Sequence, residues 1–147
     1  QRRLSRCSPD ARPGGADGGG RRITADASQW AHDGDRAVKY NHIGIPTTDR
    51  FAGEIDLPHL KVTVSDHANN PFGIQWQRYW ADAPYPELVK TVPHVAFEVA
   101  ELEAALEGYK ILIPPNSPSP GVLVAMIEVK GAPVELMQID RSIRKDL

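Results

Sequence analysis

Four residues of types that carry chemistry recur in similar local settings along this chain. His42, in "KYNHIGIPTT", and His94, in "KTVPHVAFEV", each open an apolar run. Gln75, in "GIQWQ", and Glu135, in "PVELM", each place a polar acceptor between two apolar neighbours. Two imidazoles, a carboxylate and a carboxamide are donor types that suit a borderline divalent ion such as Zn²⁺, Ni²⁺, Co²⁺, Mn²⁺ or Fe²⁺. An ion held with open positions can bind two neighbouring oxygens of a small substrate and stabilise the charge that develops when an α-proton leaves.

The spacing makes the recurrence a repeat. His42 over His94 aligns "HIGIP" with "HVAFE" at an offset of 52 positions (42 to 94), and Gln75 over Glu135 is offset by 60 (75 to 135). Strand alternation then decides the facing. His42 and Gly44 oppose Ile43 and Ile45, while His94 and Ala96 oppose Val95 and Phe97. Gln75, Gln77 and Tyr79 oppose Ile74 and Trp76, and Glu135 opposes Val134 and Leu136. If the apolar members pack on the helix side of a sheet, the four polar groups converge on its concave side.

The elements that would position them are mostly strands. From residue 38 onward, "AVKYNHIGIPT", "HLKVTVSD", "FGIQWQRYW", "PHVAFEVA", "KILIPP", "GVLVAMIEVK" and "APVELMQID" are short, rich in β-branched and aromatic residues, and bounded by Pro, Gly, Asn or Asp. "VAELEAALEGYK" is the one helical stretch, with Leu102, Ala105, Leu106 and Tyr109 at spacings of three and four. Its acidic residues read as a solvated face. "PPNSPSPG" reads as a turn or loop that cannot be a central strand. The second half is therefore β-α-β-β-β, and the first half is similar but without a convincing helix.

Residues 1–37 differ from the rest. Glycine-rich and without hydrophobic period, they carry 7 Arg against 5 Asp and read as a flexible tail or one added for expression. The remainder, 38–147, is read as one domain; 147 residues are too few for two ordinary ones. With 41% hydrophobic and 24% charged residues the composition is that of a soluble globular protein. A net charge of −2 gives no field for nucleic acid or an anionic membrane. No apolar run approaches the roughly 18 residues of a membrane span, and the start has no signal-peptide core, so the cytoplasm is the expected location. The single cysteine, Cys7, excludes an internal disulfide.

These residues together resemble the vicinal oxygen chelate superfamily of glyoxalase I, methylmalonyl-CoA epimerase, extradiol dioxygenases and bleomycin-resistance proteins. "PHVAFEV", "LEAAL" and "PVELMQ" are the most specific part of the resemblance, which covers roughly 38–141. It implies an α+β fold in which two βαβββ modules, here about 38–82 and 91–141, form a cleft in a mixed sheet, the first module lacking its usual helix. It further implies metal ligands at His42, Gln75, His94 and Glu135, a set similar to that of the epimerase. Gln77, on the face of Gln75, competes for the first-module position, and His59 in "LPHLKV" competes with either.

The expected activity is that of a divalent-metal-dependent lyase or isomerase acting on a small substrate with vicinal oxygens. Glu135 is the expected base, with Gln77, Tyr79, Trp76 and His59 lining the substrate site. Glu54 and Glu98 are candidates for a second base, while His67 reads as an exposed turn residue. The missing helix argues against a large coenzyme A or glutathione substrate and favours a homodimer that covers exposed apolar sheet. Two other functions fit the same scaffold: a binding protein of the bleomycin-resistance type without chemistry, and a non-haem iron dioxygenase using His42, His94 and Glu135.

Overall fold

Short β-branched runs bounded by turn residues form eight strands in the computed structural model, which describes residues 38–147. The reading of 1–37 as a tail lies outside the described residues. The strands are β1 (Lys39–Pro46), β2 (Ile55–Leu57), β3 (Val62–Val64), β4 (Ile74–Tyr79), β5 (His94–Glu98), β6 (Lys110–Ser119), β7 (Val122–Val129) and β8 (Ala132–Ile139). They make one curled mixed sheet in the order β2-β3-β4-β1-β5-β8-β7-β6. The order reads as one four-strand unit followed by its mirror. In each unit the first strand pairs in parallel with the last, and β1 and β5 join the units antiparallel. This is the expected α+β fold of the glyoxalase type, built from two modules.

The helices are few and short. Residues 47–54, between β1 and β2, hold no helix, and the loop is held instead by Arg78, which pairs with Glu54 at 2.6 Å and lies over the Phe51 ring. A helix that the sequence pattern did not predict, α1 (Glu87–Thr91), links the modules and buries Val89 completely. The expected helix of module two, α2, spans only Leu102–Leu106. Gln138 accepts a hydrogen bond from the Leu102 N–H at 2.7 Å at its start, and Gly108, with φ of 81°, turns the chain just beyond its end. Tyr109 therefore falls outside the helix and is exposed rather than on its buried stripe.

α2 covers one face of module two. Leu102 and Leu106, one helical turn apart, pack with Ala125, Ile127 and Leu136, and Phe97, Val99 and Val134 border them. The opposite, concave face has its own apolar cluster of Ala96, Val122, Val124 and Met137. The segment "PPNSPSPG" departs from the turn expected: much of it continues β6 to Ser119. β6 is a sheet edge and its register to β7 shifts repeatedly, which is where proline's missing N–H costs least.

Candidate metal centre and its cavity

The register of the central strands brings the repeat together. Across the antiparallel β1–β5 pair, His42 stands opposite Ala96 and Gly44 opposite His94. On the outer sides, Gly44 lies beside Gln75 and Ala96 beside Glu135. Exchanging the modules maps each relation onto the other, so Gln75, rather than Gln77, is the counterpart of Glu135. Alternation carries the apolar partners Val95, Phe97, Val134 and Leu136 to the other side of the sheet.

His42, His94 and Glu135 meet in space, with one potential ligand atom from each lying within 4.8 Å of the others. Glu135 Oε2 is 2.9 Å from His94 Nε2 and 3.4 Å from His42 Nε2. Both imidazoles are almost wholly buried, at 2% and 1% exposure for His42 and His94. Burial pushes the Glu135 carboxyl towards its neutral form, but the facing imidazoles outweigh it and hold the pKa down at about 2. The carboxylate is therefore ionised at neutral pH.

Two buried nitrogens, His42 Nε2 and His94 Nδ1, have no hydrogen-bond partner. His42 Nδ1 sits 2.8 Å from Asn41 Oδ1, and its Nε2 faces Glu135 Oε2. A carboxylate oxygen and an imidazole nitrogen facing each other across 3.4 Å in a buried site need a cation between them, either a proton on the ring or a metal ion. The His94 ring is seated on bare backbone: a Cβ built at Gly44 would lie 2.5 Å from its Nε2 and 2.8 Å from its Nδ1.

A cavity of about 540 Å³ opens from Glu135 and His42. Gln75, Gln77 and Tyr79 line it, as alternation along β4 requires. They form a relay in which Tyr79 Oη donates to Gln77 Oε1 at 3.0 Å and Gln77 Nε2 donates to Gln75 Oε1 at 2.8 Å. Burial pushes the Tyr79 hydroxyl well above its usual pKa, so it remains a donor.

The structure corrects several expectations about this site. His59, in the 3₁₀ turn Pro58–Leu60, is exposed and does not line the cavity. Trp76 points to the opposite side of β4, 39% exposed, as its alternation with Gln75 and Gln77 demands. Glu54 is held by Arg78 and Glu98 by Arg141, and neither reaches the cavity wall. His67, read as an exposed turn residue, instead lines the cavity and stacks on His42 with ring centroids 4.7 Å apart. Its burial, and then the neighbouring His42, lower its pKa. His67 lies in a loop with no period to show which way a side chain points, so no sequence signal marked it.

No family model and no curated protein sequence matches the chain. Among solved structures, a hypothetical protein from Bacillus halodurans is similar with a TM-score of 0.52 and 17% identity over 71% of this chain and 96% of that one. A methylmalonyl-CoA epimerase from Mycobacterium tuberculosis gives a TM-score of 0.48 and 16% identity, covering 69% of this chain and 88% of that one. The first of these likenesses is one of fold alone, and it agrees with the curled two-module sheet described above.

Proposed function

We propose that this protein is a divalent-metal-dependent lyase or isomerase acting on a small substrate with vicinal oxygens. The observation that carries the reading is the buried His42 Nε2, without a hydrogen bond, turned towards a carboxylate oxygen that His94 also faces. His42, His94 and Glu135 would hold the ion, with Gln75 available from the position equivalent to Glu135. When bound, such an ion supplies Lewis-acid stabilisation of the negative charge on a substrate oxygen.

The chain's own groups do the rest. Glu135 Oε1, the oxygen that the imidazoles do not engage, is the proton acceptor for an acidic C–H beside the substrate's carbonyl. Asn41 holds the His42 ring in one orientation, and Tyr79 and Gln77 hold Gln75.

The test begins with elemental analysis of the purified protein beside its His94→Ala and Glu135→Ala variants. Near-stoichiometric metal lost in both variants supports the reading, and α-deuteration of 2-oxo and 2-acyl compounds in D₂O would then show the proton chemistry. No metal retained after incubation with Zn²⁺, Ni²⁺, Mn²⁺ and anaerobic Fe²⁺ refutes it and favours ligand sequestration of the bleomycin-resistance type. A second enzymatic reading, an iron dioxygenase, is favoured by the two-histidine, one-carboxylate composition of the triad. Substrate-dependent O₂ uptake by the Fe²⁺-loaded protein distinguishes it.

A further inference from the structure

The wall of the cavity changes character away from the triad. On its β7–β8 side, Met126 stands beside Glu135, then Val124 beside Met137, then Val122 beside Ile139. Val122, Val124, Met126 and Met137 all line the cavity and are all buried. Ile139 lies four positions along β8 from Glu135, about 13 Å at the usual rise. Leu57, Val62 and Val64 supply apolar wall from module one.

Charge along this wall is one-sided. Among the described lining residues the carboxylates are Asp66, Glu135 and Asp146, and Arg144 is the one lysine or arginine. Arg144 lies by the start of β7, with its Cγ 3.0 Å from where a Gly121 Cβ would stand. Three of its five N–H donors are engaged: Nε and Nη2 grip Asp146 at 2.9 and 2.7 Å, and Nη1 donates to Ser119 Oγ at 2.9 Å. An anionic group on the far part of a ligand would meet apolar side chains and an Arg144 whose charge is already paired with Asp146.

We propose that the cavity takes a substrate with two adjacent oxygens at one end and an uncharged, apolar chain or ring as its body, and discriminates against bodies that end in an anionic group. The head of this substrate class rests on the metal reading above. The choice of body rests on the cavity wall alone, so the two can fail separately.

Three hydroxamic acids test it, each with the same pair of head oxygens: acetohydroxamic acid, octanohydroxamic acid and the monohydroxamic acid of suberic acid, which has the octanoyl length and a terminal carboxylate. Calorimetric titration into zinc-loaded and metal-free protein reads both parts. Burial of a methylene is worth roughly fourfold in affinity, so the octanoyl probe is expected to bind at least about thirtyfold tighter than the acetyl probe. The suberic probe is expected to bind at least about tenfold weaker than the octanoyl probe. Asp146→Asn, at a largely exposed side chain, releases Arg144 and is expected to narrow the affinity gap between the octanoyl and suberic probes at least about threefold.

If the length and charge preferences appear in both arms and zinc adds nothing, the metal reading fails and the apolar-body proposal stands. Equal affinity of the acetyl and octanoyl probes, a suberic probe as tight as the octanoyl one, or no binding of any probe overturns the proposal.

Discussion

Gly44→Ala should remove metal binding without replacing any proposed ligand. Gly44 faces His94 across the β1–β5 pair, and the imidazole lies over its Cα. A methyl group there would stand 2.5 Å from Nε2 and 2.8 Å from Nδ1, with Cε1 closer still. Ordinary contact between such atoms is about 3.5 Å, so the ring must retreat by about 1 Å or more. His94 is held on 2.9 Å hydrogen-bond geometry with Glu135, and a displacement of that size takes it out of ligand range. Disturbing even the groups behind a ligand costs roughly 10–100-fold in metal affinity, so displacing a ligand is expected to cost at least about 100-fold.

Stability gives an independent reading of the same clash. Overpacking costs about 1–3 kcal/mol, while alanine in place of glycine in a strand otherwise gains roughly 0.5–1 kcal/mol. The variant should therefore be modestly destabilised, but neutral or stabilised when His94→Ala is already present. Zinc titration monitored by calorimetry and urea unfolding of the four proteins of this double-mutant cycle measure both effects. Wild-type zinc affinity in Gly44→Ala, or the same destabilisation with and without the His94 imidazole, would refute the reasoning.

Other outcomes follow from the same geometry. In metal-free protein the Glu135 pKa is depressed from 4.5 to about 2, so its ionised form contributes stability above about pH 4.5 that is lost as the pH falls towards 2. The stability gap between wild type and Glu135→Gln in urea should therefore be full near neutrality and close on acidification; a gap that widens contradicts the assignment. Tyr79→Phe leaves the buried Gln77 oxygen without its donor, which should cost about 1 kcal/mol and weaken zinc binding severalfold by freeing Gln75. Unchanged unfolding and unchanged zinc affinity would remove the relay from the account. His67→Ala should alter zinc or hydroxamate affinity because its ring stacks on His42, whereas His59→Ala, at the exposed 3₁₀ turn, should alter neither. Finally, we propose a homodimer on the grounds of the exposed Phe72 and Trp76, to be checked by light scattering, with a monomeric mass at micromolar concentration as the contrary result.

The sequence by itself determined the local directions. A period of two places His42 with Gly44, Gln75 with Gln77 and Tyr79, and Glu135 opposite Val134 and Leu136, because a strand has no other way to dispose its side chains. The offsets between repeated segments also showed the two modules, since both were written in comparable strands. Tertiary structure alone decided which groups meet. The β1–β5 register seats His94 on Gly44 and so gives that glycine its role, and the parallel pairs make Gln75 the counterpart of Glu135 in place of Gln77. Loop residues were the least legible: His67 turned inwards onto His42 and His59 outwards, and no periodicity distinguishes them. The pairing of Arg144 with Asp146, which sets the charge of the cavity's far end, depends on where the chain beyond β8 comes to rest, a non-local outcome that local pattern does not encode.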